Sequence, residues 1–213
     1  MTKRHDQYCP IARALDLIGD RWTLLILREL LIGDQRFVDL RKHLSGISSS
    51  VLTDRLHTLA ADGFVATKDL PPPVGRTVYV ATPKAREARP ILEAMARFGM
   101  AHLAPPGAST AIRPEIAAHF AVESWFEPTA ATGIDEIYRL VLDGAGFSLA
   151  SAPGAKHARR DRAPDLVLTA PAHVIMAARR GDKPLSDALA SRAATVSGSK
   201  RALSNFQRAF HLP

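Results

Sequence analysis

A single cysteine, Cys9, is the scarcest functional group in this chain of 213 residues. One thiol excludes an intrachain disulfide and the paired cysteines of a zinc finger. The eight histidines are scattered without ligand spacing, so no metal is expected. Long apolar runs are missing as well. The stretch from Leu24 to Leu31 is far shorter than the ~20 residues a membrane span requires, and reads as a buried helix. No leader-peptide pattern is visible, so the expected location is the cytoplasm and no membrane partner is expected. Gly144-Ala145-Gly146 lacks the third glycine and the strand-to-helix setting of a dinucleotide fingerprint. Ser199 and Ser204 have no neighbouring group that would activate them. No catalytic residue and no cofactor is expected, and the chain does not read as an enzyme.

What is present is basic. The net charge is +7 with an isoelectric point near 10, which favours a polyanionic partner. The charge is spread evenly: residues 1–104 carry 15 Lys/Arg against 11 Asp/Glu, and residues 105–213 carry 13 against 10. Basicity alone therefore does not locate a binding site.

Patterning does. Phe37, Leu40 and Leu44 recur at i, i+3 and i+7, the spacing of one helix face. Leu44-Ser45-Gly46-Ile47 follows as a tight turn. A second helix runs from about Ser48 with Leu52, Leu56 and Leu59 on one face, and stops at Gly63. At about 100° per residue, Ser50, Thr53, Asp54 and His57 fall on the opposite side. Phe64 to Leu70 and Thr77 to Ala81 alternate as strands around a Pro-Gly-Arg tip. Two helices at a tight turn, then a hairpin, make a winged helix-turn-helix, whose second helix suits a DNA major groove.

Around this centre, Pro10 to Ile18 is predicted as a first helix, and Trp22 to Leu31 as a second, capped by Asp20. Thr82-Pro83 opens another helix, with a break or kink at Pro90. Ile91 to Leu103 then continues at helical spacing. Residues 1–104 read as one domain, 105–111 as a proline- and glycine-rich linker, and 112–213 as a second domain. In the second domain a helix is predicted over Glu115–Phe126 and a strand over Glu136–Leu142. Asp143 to Gly146 is read as a hairpin turn, with the return strand over Phe147–Ala152. A basic loop fills Pro153 to Pro164, followed by a strand from Asp165 to Thr169. Helices follow after Pro171 and near Pro184–Arg192, then a short strand over Thr195–Gly198 and a final helix over Lys200–Phe210. The fold class is mixed: a mainly α winged helix-turn-helix followed by an α+β domain.

Residues 9 to 103 resemble the HxlR-type family of winged-helix transcription regulators. The resemblance rests on Cys9-Pro10-Ile11, Leu17 through Thr23, Arg36-Phe37, Gly46-Ile47-Ser48, Leu52 through Leu56, Asp62-Gly63 and Tyr79 through Pro83. The wing, Pro71 through Arg76, departs from the family by being longer and richer in proline. Residues 112 to 211 resemble a sterol-carrier-protein-like domain, through Pro164 to Thr169, Ala177 to Gly181, Asp187 to Ala190 and Val196 to Phe210. Here Ser191-Arg192-Ala193 replaces the usual glycine. The first resemblance implies a homodimer on double-stranded DNA, and the second an apolar cavity for a small hydrophobic ligand.

The residues then take candidate roles. Ser48, Ser49, Ser50, Thr53 and His57 are candidate DNA contacts, Ser48 equally a helix cap, and Asp54 a candidate acceptor from cytosine. Arg36, Arg41, Lys42 and Arg76 are candidate phosphate contacts, and Arg55 either reaches a phosphate or braces the domain. Leu92, Met95 and Phe98 are candidates for the dimer interface. Trp125, Phe126 and Phe147, with Ile175, Met176, Phe206 and Phe210, either fill a core or line the implied cavity. Cys9 is either a thiol switch, as its place in redox-sensing relatives implies, or a small buried hydrophobe. The leading expectation is a dimeric transcription regulator with a hydrophobic effector. The alternative is a lipid or sterol carrier that uses the winged helix for protein contacts.

Overall fold

The structure, a computed structural model, describes residues 5–71, 75–107, 110–151 and 162–212. The chain forms two compact units, Met1–Leu92 and Glu93–Pro213.

In the first unit, α1 (Pro10–Ile18) begins with its proline where a missing N–H leaves no bond unmade. α2 (Thr23–Ile32) is the centre: Ile26 and Leu27 are wholly buried. Trp22 is the N-cap and no side chain caps the helix; the Asp20 carboxylate, expected as the cap, instead accepts from the Trp22 N–H at 3.0 Å. α3 (Phe37–His43) and α4 (Ser49–Ala61) are joined by the predicted turn, in which Gly46 takes φ +90°, a conformation glycine adopts without strain. Leu40, Leu52, Leu56 and Leu59 close over α2 in one apolar core.

β1 (Val65–Asp69) and β2 (Thr77–Ala81) pair antiparallel, Val65 opposite Ala81 and Asp69 opposite Thr77. A third segment joins them. Gln35 and Tyr79 exchange two backbone hydrogen bonds, of 3.0 and 2.7 Å, stitching the loop before α3 to β2. The wing tip at Pro72–Val74 lies outside the described residues. α5 (Pro83–Arg86) is capped by Thr82, whose hydroxyl accepts from the Ala85 N–H. The chain breaks before α6 (Arg89–Ala101), as Pro90 demands, and Pro90 itself stands in the first turn of the new helix.

The division between units falls inside α6, ahead of the linker expected at 105–111. The reason lies in the second half of that helix. Arg97 donates to the carbonyl of Ser124, and Met100 packs on the second core.

The second unit departs from expectation at its start. In place of one regular helix over Glu115–Phe126 there is α7 (Pro114–Ala117), a π-helical turn over Ala118–Val122 and a 3₁₀ turn over Glu123–Trp125. The cause is capture of helix carbonyls by side chains. Ser124 Oγ donates to the carbonyl of His119 at 2.9 Å, and Arg179 Nε donates to that of Ala121 at 2.5 Å.

The sheet follows, in the order β4-β3-β5-β6. β3 (Ile137–Leu142) pairs antiparallel with β4 (Ala145–Ala150) and parallel with β5 (Leu166–Ala170), which pairs antiparallel with β6 (Thr195–Gly198). The hairpin turn is tighter than predicted. Only Asp143 and Gly144 lie between paired residues, both left-handed at φ 48° and 84°, the two-residue turn that matches strand twist. The Asp143 carboxylate also accepts from the Ala172 N–H, at 3.1 Å, at the start of α8 (Ala172–Arg180). α9 (Leu185–Ala190) and α10 (Lys200–Phe210) complete the unit. Residues 153–161 of the basic loop lie outside the described residues, as does Ala152 at the end of the predicted strand.

Candidate nucleic-acid interface

The geometry of α4 is set at its first residue. Ser48 Oγ accepts from the Val51 N–H at 3.2 Å and shares a hydrogen bond of 3.1 Å with Ser50 Oγ, so Ser48 acts as the helix cap. The buried leucines fix which face is left outside. Ser50, Thr53, Asp54 and His57 are exposed there, as the periodicity predicts, and Ser49 is exposed as well. Their hydroxyls are partly engaged. Thr53 Oγ1 donates to the carbonyl of Ser49 at 2.9 Å, leaving its oxygen lone pairs as the polar feature offered outward.

The candidate cations differ sharply from one another. Arg36 is tied to Asp39 by two bonds, of 2.6 and 2.9 Å, and this guanidinium holds Asp39 below the usual carboxylate range. Arg55 reaches back to Asp20, with 3.5 Å between Nε and the carboxylate, so it braces α4 against the turn before α2. Arg41 donates to Ser49 Oγ at 3.0 Å, which places a cation directly at the start of α4. Lys42 and Arg76 are exposed, one at the end of α3 and one on the wing. Arg41, Lys42 and Arg76 therefore remain as cations able to neutralise phosphates, while Arg36 and Arg55 are held by carboxylates.

Sequence reasoning missed the brace beneath this surface. Glu29 on α2 is wholly buried, accepts from Arg28 at 2.6 and 2.9 Å, and faces His43 Nδ1 on α3 at 3.3 Å. An isolated Glu in an apolar helix was the only signal available, and a buried carboxylate needs such partners.

Two helices at a tight turn, a capped second helix with a polar outer face, and a hairpin wing define a winged helix-turn-helix DNA-binding unit. The HxlR-like helix-turn-helix family matches residues 17–106. An HTH-type transcriptional regulator of Synechocystis is 37% identical over 91 residues, covering 43% of this chain and 67% of that protein. The HTH-type transcriptional regulator YvaP of Bacillus subtilis is 32% identical over 100 residues, 46% of this chain and 93% of its own. A solved transcriptional regulator of the MarR family from Porphyromonas gingivalis W83 is 32% identical, with a TM-score of 0.43, covering 47% of this chain and 99% of that one. The chain belongs to the HxlR-like helix-turn-helix family, whose members are transcription regulators and not enzymes.

The remaining candidates are placed as follows. Cys9 is half-buried at the N-cap of α1, beside an open recess lined by Gln7, Tyr8, Pro10 and Arg13. Leu92 is only 7% exposed, whereas Met95 and Phe98 are 51% and 73% exposed. Leu92 is buried within the chain, and the open apolar positions of α6 are Ile91, Met95 and Phe98.

In the second unit, Ile175, Met176, Phe206 and Phe210 are buried in the core, and Trp125, Phe126 and Phe147 are half-buried. Phe206 and Phe210 pack on the ring of Tyr138 at centroid distances of 5.3 and 5.8 Å, and Phe126 lies 5.3 Å from Phe210. The Tyr138 hydroxyl donates to Glu136 at 2.9 Å, and Asn205 donates to the same carboxylate at 2.9 Å. Burial, with the Glu136 carboxylate adding to it, pushes the Tyr138 phenol up. A recess of about 500 Å³ opens between α8 and α9, floored by Val174, Ala177 and Ala188 and rimmed by His173, Lys183 and Asp187. Among the described residues no helix is long and apolar enough to cross a membrane, and no cluster of His, Cys, Asp or Glu is placed to hold a metal.

Proposed function

We propose that this chain is a sequence-specific regulator that binds duplex DNA as a homodimer, with α4 in the major groove and a hydrophobic effector held by the second unit. The observation that carries the reading is the outer face of α4. It is polar throughout its centre, capped at its start, and has Arg41 at that end, while its opposite face is locked into the core and Lys42 and Arg76 stand exposed on α3 and the wing. Phosphate contacts from the cations fix register, and the α4 side chains meet base edges.

The dimer is supported by the apolar positions Ile91, Met95 and Phe98, spaced i, i+4 and i+7 on α6 and open to solvent. Exposed Ile11 and Leu15 on α1 add a second apolar stripe of the kind that a two-fold partner covers. The effector reading is supported by the sterol-carrier-like sequence pattern and by the recess between α8 and α9, whose lining includes none of Trp125, Phe126, Phe147, Ile175, Met176, Phe206 and Phe210.

Duplex binding tests the first part. Affinity of the full chain for a duplex selected from a random pool should fall steeply with salt, because bound phosphates release their counterions. A salt-independent interaction, or none, overturns the reading. A fluorescent fatty acid tests the effector part: it should bind the full chain, and it shifts DNA affinity only insofar as it prefers the free or the DNA-bound state.

A further inference from the structure

We propose that Val51 reads thymine: its methyl groups meet the 5-methyl group of a thymine in the major groove, a base preference that rests on the DNA-binding reading above. Val51 lies in the first turn of α4 and, at 38% exposed, is the large hydrophobic side chain that this helix leaves in solvent. Neither packing nor helix formation calls for it. It is not among the residues that form or pack on the core of its unit, and valine forms helix less readily than alanine, lysine or arginine.

Its placement fits a reader of base edges. In a docked helix-turn-helix, the N-terminal residues of the second helix are the ones that meet base edges. A β-branched side chain in a helix holds essentially one rotamer, so its methyl groups lose little freedom on binding. The Ser48 cap accepts from the Val51 N–H itself, which fixes the backbone that carries this side chain.

The neighbouring hydroxyls point to the same conclusion. Thr53 and Thr58 donate to the carbonyls of Ser49 and Asp54, each at 2.9 Å, and Ser48 and Ser50 share a hydrogen bond. The two threonine donors and one of the two serine donors are thus engaged within the helix. At this flank Val51 therefore offers a base pair an apolar surface. In the major groove, the apolar feature that distinguishes one base from the others is the thymine methyl.

Uracil substitution is the test, because deoxyuridine keeps the pairing and the O4 acceptor of thymidine and lacks only the methyl. Duplexes are selected from a random pool by the full-length chain, and each thymidine is then replaced singly. We expect one or two replacements in each bound site to weaken binding by about three- to fivefold, the range set by loss of one buried methyl. Val51→Ala should bind the parent duplex more weakly and become indifferent to those same replacements. Val51→Thr, which keeps one methyl, should show a smaller penalty there. Unchanged thermal midpoints for both variants keep the comparison free of folding effects, as expected for an exposed position. A tightly bound duplex that is indifferent to every uracil overturns this inference alone, as does a full uracil penalty retained in Val51→Ala. Failure to select or shift any duplex at low salt overturns the DNA-binding reading and this inference with it.

Discussion

The guanidinium of Arg179 lies 4.4 Å over the ring of Trp125 while its nitrogens donate to three carbonyls, those of Ala121, Phe210 and His211, at 2.5, 2.7 and 2.7 Å. One side chain from α8 thus ties together the π-helical turn and the end of α10. Burial pushes its pKa down to about 10, so it stays charged at neutral pH.

Arg179→Met keeps much of the stem and removes every donor, leaving three carbonyls without this partner. The second unit should lose about 1.5–3 kcal/mol, the range for hydrogen bonds to a charged group. Urea unfolding followed by Trp125 fluorescence in a Trp22→Phe background measures it. A loss below about 0.5 kcal/mol, typical of an ordinary surface change, would contradict the bracing role.

On DNA, the cations should separate by their existing partners. Arg76→Ala should flatten the dependence of log affinity on log salt by about one unit, the effect of one lost phosphate contact. Arg36→Ala should change the slope less, since Asp39 already neutralises that guanidinium. Thr53→Ala should instead reduce discrimination between selected and altered duplexes, by about 1 kcal/mol. Equal slope changes from Arg36→Ala and Arg76→Ala would remove the distinction.

The Arg36–Asp39 pair also has a pH signature. The Asp39 pKa is lowered in the folded chain, chiefly by the hydrogen bond from Arg36. A lowered carboxyl contributes stability above its unfolded pKa of about 3.9, and that contribution disappears as pH falls through the lower folded value. Asp39→Asn should therefore be less stable than wild type at neutral pH, with the gap closing below about pH 4. A gap that persists undiminished at pH 2 would assign the effect to something other than this titration.

Assembly gives a simpler readout. Met95→Glu with Phe98→Glu should convert a dimer to a monomer in sedimentation at micromolar protein, because both positions are open on α6 and a charge there would be buried by a partner. A dimer that survives both changes, or a wild-type monomer, rules out this face.

Legibility in the sequence followed how local each cause was. Leu52, Leu56 and Leu59 announced the inward face of α4, and Ser48, Pro10 and Thr82-Pro83 announced helix starts, because caps and periodicity act within a few residues. The π-helical turn was not legible, since the side chain that takes the Ala121 carbonyl lies 58 positions further along the chain. Arg55 lies 3.5 Å from Asp20, a partner 35 positions earlier that helix spacing does not reveal. Leu92 shared its spacing with exposed Met95, and spacing alone does not separate an inward flank from an outward one. The Gln35–Tyr79 pairing likewise joins residues far apart in sequence, outside any window of periodicity.

Asp143 shows how narrow some positions are in the space of allowed substitutions. Its backbone is left-handed, and its carboxylate serves the first N–H of a helix 29 residues away. Glycine meets the first requirement and loses the second. Glutamate carries the acceptor, but lacks the short side chain that makes a left-handed backbone tolerable. Asparagine alone among the other residue types satisfies both. A variant library across this hairpin should therefore return two residues at position 143 and many at the exposed strand positions beside it.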